Sequence, residues 1–222
     1  MCWNKEVSLN TYISSMVILA LVYYNNKYTQ YKFPSLQGSI FKYLFFISFI
    51  TMQLVEYFLW KNINNVRANH LISTIGLSVL FLQPLFAILG FTTGKIKQPM
   101  LIAYLIFVLF YIFYRYFISP LKAVTRIAKD GHLSWDWFVT RGWESIFVLI
   151  WIGFFLAGLG GDGNWSRPLL GSLLLIWSVI LFYKTNTWGS LWCWIANIVL
   201  LYYLFELLII KPYREHGFCG IK

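Results

Sequence analysis

The chain is 222 residues long, 59% hydrophobic and only 12% charged, with a mean hydropathy of +0.64. Soluble domains carry about 25% charged residues, so an ordinary soluble globular fold is excluded. A net charge of +10 would point to nucleic acid in a soluble protein, but the 18 Lys and Arg residues fall mostly between apolar runs. There they mark polar loops and contact with anionic lipid headgroups, and no nucleic-acid partner is expected.

A helix crosses a hydrocarbon core of about 30 Å with about 20 apolar residues. Seven segments approach that length: approximately 7–24, 38–60, 71–91, 99–118, 143–161, 168–184 and 188–210. These continuous runs are too long for barrel strands. They predict an all-α, polytopic transmembrane helix bundle of seven spans, folded as a single domain over 1–222. The first run leads into Tyr23, Tyr24, Asn25, Asn26 and Lys27 and not into a small-residue cleavage site, so it is read as a retained span. Pro99 sits near the start of the fourth span, where its missing N–H costs nothing. A Gly-rich stretch, 158–163, turns the chain before the sixth span.

Residues 119–142 form the one long, mixed connection. After Pro120, Leu121, Val124, Ile127 and Ala128 fall on one helical face, and Lys122, Arg126 and Lys129 mainly on the other. This pattern predicts a basic interfacial helix over approximately 120–130, ended by Gly131. Seven spans place the termini on opposite sides. The N-terminal side, called side A below, holds this basic connection, and the positive-inside rule then leans towards a cytoplasmic N-terminus.

Polar residues inside the spans are the candidates for chemistry. Glu56 lies about one turn inside side A, with Gln53 at i−3 and Trp60 at i+4 on the same helical face. Arg115 lies at the same depth near the end of the fourth span, so an Arg115–Glu56 pair is expected to neutralise both charges. Glu144 and Asn197, at the side A ends of spans five and seven, complete a polar membrane site. Cys2, Trp3, Trp60, Trp192 and Cys193 are candidate lining for a vestibule on that side, where Cys2 and Cys193 are within possible reach of each other. The competing reading is an aromatic belt with ordinary helix-end charges. Gln83 and Pro84 near the middle of the third span predict a kink, with Gln83 satisfying a backbone group that Pro84 frees or bonding across helices. His70, His132 and His216 all lie outside the spans. No metal site and no cofactor is expected, and no GxSxG, P-loop or dinucleotide fingerprint occurs.

The blocks at 1–9 (MCWNKEVSL), 52–60 (MQLVEYFLW) and 82–84 (LQP), with 189–194 (GSLWCW) as a further block, resemble an uncharacterised family of small multi-pass membrane proteins of large DNA viruses and protists. The resemblance implies a membrane location and a viral or protist origin, and carries no activity or catalytic residue. Three functional readings follow. The first is a transport or channel-like protein with a polar vestibule around Glu56 and Arg115, its ion or small-molecule ligand open. The second is a non-enzymatic structural or interaction protein of a cellular or viral membrane. The third is a lipid-modifying enzyme using Cys2, His132 or Glu144.

Overall fold

The computed structural model describes residues 4–120, 123–138 and 142–216, with side chains to residue 213. The elements run α1 (Lys5–Tyr28), α2 (Ile40–Lys61), α3 (Val66–Phe91), α4 (Lys97–Phe113), β1 (Thr125–Ile127), β2 (Leu133–Trp135), α5 (Ser145–Gly160), α6 (Ser166–Phe182), α7 (Trp188–Phe205) and α8 (Lys211–His216). The architecture is an all-α bundle carrying one small hairpin. Five helical segments are long and apolar enough to cross a membrane: Lys5–Tyr28, Ile40–Lys61, Val66–Phe91, Gly94–Ile118 and Trp188–Tyr213. Ser145–Gly160 and Ser166–Phe182 are apolar but shorter.

Local sequence explains the helix starts. Asn4 caps α1 by accepting from the Val7 N–H, Ser39 caps α2 through Phe41, and Asn65 caps α3 through Ala68. Each side-chain oxygen satisfies an amide that the first helical turn leaves open. The core is aromatic and aliphatic, built where α2 packs against α1, α3 and α7, and α3 against α5. The outer faces are just as apolar: Ile106, Leu109 and Phe113 on α4 and Ile176, Trp177 and Ile180 on α6 are more than half exposed. An apolar core under an apolar exterior suits hydrocarbon as the solvent. The chain is a multi-pass helical membrane protein.

The α3–α5 crossing is close because Gly158 has no side chain. A Cβ there would stand 2.9 Å from Ala87 Cβ and 3.0 Å from the Ile88 nitrogen. Thr92 Oγ1 ties the crossing by donating to the Gly158 carbonyl at 3.2 Å. Pro84 lies inside α3 and cannot donate to the Leu80 carbonyl one turn back. The Trp151 indole N–H from α5 donates there instead, at 3.0 Å, and the Tyr104 hydroxyl from α4 donates to the next carbonyl, of Phe81. Gln83 was expected to make this repair. Neighbouring helices make it, because indole and phenol groups on α5 and α4 reach the exposed backbone directly.

The interfacial helix expected at approximately 120–130 is replaced, over its described part, by an antiparallel hairpin with Thr125 opposite Trp135 and Ile127 opposite Leu133. Leu121 and Lys122 lie outside the described residues. The hairpin wins for two physical reasons. Gly131, at φ 81°, and Asp130 make a tight turn in which the Gly131 N–H donates to the Ala128 carbonyl at 2.9 Å. Thr125 is also held on all sides by α3: its N–H donates to Asn69 Oδ1 and its carbonyl accepts from Asn69 Nδ2, both at 2.9 Å, while its hydroxyl bonds Ser73 Oγ at 2.8 Å. The Trp137 indole N–H adds a bond to the same hydroxyl at 3.0 Å. The segment is an inserted plug, with Ala123, Thr125, Leu133, Trp135 and Trp137 buried.

Candidate functional site

Two polar centres form towards side A, and they differ from the pairing that the sequence suggests. The first joins α4 to α5. Beyond α4, Tyr114–Ile118 continues as a wider π-helical turn, closed by the Ser119 N–H on the Tyr114 carbonyl at 2.9 Å. Arg115 projects from it to Glu144, with Nη2 3.0 Å from Oε2. Its Nε donates to the Tyr111 hydroxyl and its Nη1 to Ser119 Oγ, both at 3.4 Å. Ser119 and Tyr114 donate to Glu144 Oε1 at 3.0 and 3.1 Å. The partner of Arg115 is therefore Glu144 and not Glu56. The two side chains are 11% and 21% exposed, so the ion pair is largely withdrawn from solvent and nearly every polar atom in it is used.

The second centre is a buried layer between α2, α3 and α7. Gln53 and Glu56 lie one turn apart on α2, and Glu56 is 4% exposed. Glu56 is five residues from Lys61, about 7.5 Å along the helix axis. From α7, Ser190, Cys193 and Asn197 recur at i, i+3 and i+7 on one buried face. The Ser190 hydroxyl and the Cys193 thiol lie beside the Glu56 carboxyl, and the thiol lies beside Gln83 as well. Asn197 Nδ2 turns back to the Cys193 carbonyl at 2.8 Å. Among the described residues, Glu56 Oε1, Asn197 Oδ1 and both amide atoms of Gln53 and of Gln83 have no hydrogen-bond partner within bonding distance. Each such buried atom costs about 1–3 kcal/mol.

The hairpin covers this layer. Trp135 and Trp137 stack at 4.9 Å with 14° between their planes. A Cβ on Gly189, the neighbour of Ser190, would meet Trp135 at 3.1 Å, and one on Gly76 would meet Val55 at 3.1 Å and Trp137 at 3.2 Å. The two indoles thus close the bundle beside Ser190 and Glu56. Asp130 anchors the turn to the α6–α7 connection, accepting from Thr187 Oγ1 at 2.8 Å and from the His132 N–H at 3.1 Å. Burial works against the Asp130 charge, but the Thr185 and Thr187 hydroxyls and the His132 amide outweigh it and hold the carboxyl below its ordinary value. Burial pushes the His132 imidazole down, with Asp130 opposing.

The structure thus brings together Gln53, Glu56 and Asn197 of the expected site, adds Gln83 and Cys193, and separates Arg115 and Glu144 into a centre of their own. Trp192 is buried in the aromatic core and Trp60 is half-buried against it. Cys2 and Trp3 lie outside the described residues, so their place in a vestibule and the approach of Cys2 to Cys193 lie there too. Ser190 escaped the sequence reading, although its spacing from Cys193 and Asn197 placed it on their face. Asn69, Ser73 and Thr125 were missed as well; the Asn69–Ser73 pair at i and i+4 was their signal. Among the described residues, no three His, Cys, Asp or Glu side chains gather as a metal site. No family model, no curated protein and no solved structure matches the chain. The family resemblance therefore rests on its short sequence blocks.

Proposed function

We propose that this chain is a seven-span integral membrane protein of the transport or channel type, in which the layer around Glu56 is a polar step for a small cation or a proton. Its seven crossings are supported by α5 and α6. At 16 and 17 residues, they extend about 24 and 25 Å, somewhat short of the hydrocarbon core. Each nevertheless joins the two ends of the bundle. Beyond the start of α5, Glu144 meets Arg115 on side A, and the end of α5 meets Thr92 and Thr93 on the opposite side B. Helix α6 starts with Arg167 over the Phe91 ring on side B and returns to the hairpin through Thr187 and Asp130.

The observation that carries the functional reading is the burial of Glu56, Gln53, Gln83 and Asn197 in one polar layer inside the bundle. A bundle that needed only stability would gain by replacing Gln53, Gln83 and Glu56 with apolar side chains of similar volume. A carboxyl group, three amide oxygens and a hydroxyl are the ligands that hard cations take, and a carboxyl also exchanges protons where an amide does not. A transient cation or proton would meet these groups together in one layer. The lipid-enzyme reading loses Glu144 to its ion pair, and the structural reading fits the Arg115–Glu144 centre better than this layer.

The test is reconstitution of the full chain in sealed vesicles, with dye-reported gradients of H⁺, Na⁺ and K⁺ imposed in turn. The expected result is protein-dependent flux of one of these ions. Flux indistinguishable from protein-free vesicles for all three would move the protein to the structural and interaction class.

A further inference from the structure

On side B the molecule holds a different feature, unconnected with the chemistry of Glu56. A cavity of about 140 Å³ lies between α2, α5, α6 and α7. Its walls are almost wholly apolar, with Phe45, Phe49, Phe155 and Trp192 among them. An apolar cavity of about this size stays dry and accepts a hydrocarbon guest. Its α7 wall is the stripe Trp192, Ala196, Val199 and Tyr203, which covers about 16 Å of helix. That shape is long and narrow. On the α6 side it is bounded by Leu170, Gly171 and Leu174, and Leu170 is 47% exposed on the outer face. The hydrocarbon at hand beyond that wall is the acyl chains of the bilayer.

The mouth is charged. Arg167 lines the cavity, as does Phe91. The Arg167 guanidinium stands 4.9 Å from the centre of the Phe91 ring, and the Lys42 ammonium 5.8 Å from the same ring. Lys42 also donates to the Gln37 carbonyl at 2.8 Å, which fixes it beside the ring. Asp162 accepts from Arg167 Nη1 at 2.7 Å. One carboxylate against two cations leaves the mouth net positive. A guanidinium fork and an ammonium point charge are the pair that recognises phosphate oxygens.

We infer that this cavity seats part of one acyl chain of an anionic phospholipid from the side B leaflet, with the lipid phosphate held between Lys42 and Arg167 and the rest of the chain running out past Leu170 into the bilayer. The chain fills the space beside Trp192 and Ala196, and the headgroup adds the second negative charge that the mouth lacks. A zwitterionic lipid offers the same hydrocarbon with no net charge, so selectivity comes from the mouth and occupancy from the cavity.

The test is native mass spectrometry of the full chain released from bilayers of equal phosphatidylglycerol and phosphatidylcholine. The expected result is one retained phospholipid per chain, with phosphatidylglycerol favoured about fivefold, the worth of one net cationic charge near a membrane surface. Ala196→Leu fills the cavity and should abolish retention. Gly171→Leu narrows the same space from α6 and serves where the first variant does not fold, as judged by its circular dichroism. Lys42→Gln should keep one lipid but bring the two headgroups to parity, because Arg167 alone then balances Asp162. No retained lipid, or equal retention of the two lipids by the unaltered protein, would overturn the inference. So would a phosphatidylglycerol preference that survives both cavity-filling changes, because the anion would then sit on surface charge alone.

Discussion

Glu144 and Glu56 are acids of one bundle in opposite circumstances. Glu144 receives Arg115 at 3.0 Å and hydroxyls from Ser119 and Tyr114. Glu56 is deeper, lies beside Ser190, and among the described residues its Oε1 has no partner within bonding distance. The first arrangement is a structural joint, in which each charge has a fixed counterpart. The second leaves hydrogen-bonding capacity unused in a place where unused capacity is costly. An acid in a membrane protein therefore reveals its role through its neighbours and not through its depth.

The contrast breaks most visibly at Arg115. Arg115→Met strands Glu144 and should destabilise the protein in detergent by about 3 kcal/mol, the low end for removing one partner of a buried pair. Adding Glu144→Gln should recover much of that loss. Adding Glu56→Gln should recover none, and its effect should simply add. Recovery by the Glu56 change would place the cation beside the wrong acid. Next in size is Asn69→Ala, which strands the N–H and carbonyl of Thr125 and should cost about 2–3 kcal/mol. Hydrogen exchange should then speed up over 123–138, and uniform exchange across the chain would show that the plug is not anchored there.

Much of the fold was legible, for reasons that particular residues make plain. Continuous apolar runs located every long helix because their length is fixed by the thickness they cross. Gln53 and Glu56 were legible as a buried pair from their i, i+3 spacing alone. Partner choice was not: Arg115 lies at a similar depth to Glu56 and Glu144, and depth says nothing of angular position around the bundle. The hairpin was hidden because Leu121, Val124, Ile127 and Ala128 fit a helical face, while its decisive contacts come from Asn69 and Ser73, more than fifty residues away. Pro84 signalled an exposed carbonyl, but its donor, Trp151, is a tertiary neighbour.

Two smaller effects sharpen the comparison. Gln83→Met replaces the buried amide beside the Cys193 thiol at nearly constant volume and should raise stability by about 1 kcal/mol, measured as a higher unfolding midpoint. A loss of similar size would mean that Gln83 has a partner in the resting state. Asp130 adds the pH dependence. Its folded value is held below its ordinary one, so its contribution is present above the unfolded value and is lost as pH falls through the folded value. Protection of the hairpin from hydrogen exchange, corrected for intrinsic rates, should decline below about pH 4. In Asp130→Asn that acid-dependent step should vanish, and an unchanged step would assign the titration elsewhere.

The most direct trial of the account is Glu56→Gln, read for stability and for ion movement in the same preparation. Among the described residues no cation pairs with this carboxyl, so the unfolding midpoint should correspond to a change within about 1 kcal/mol. Flux of the transported ion across reconstituted vesicles should fall to the protein-free baseline. A variant that keeps the unaltered flux, or that loses about 3 kcal/mol or more, would contradict the claim that Glu56 is held for chemistry and would return it to the architecture of the bundle.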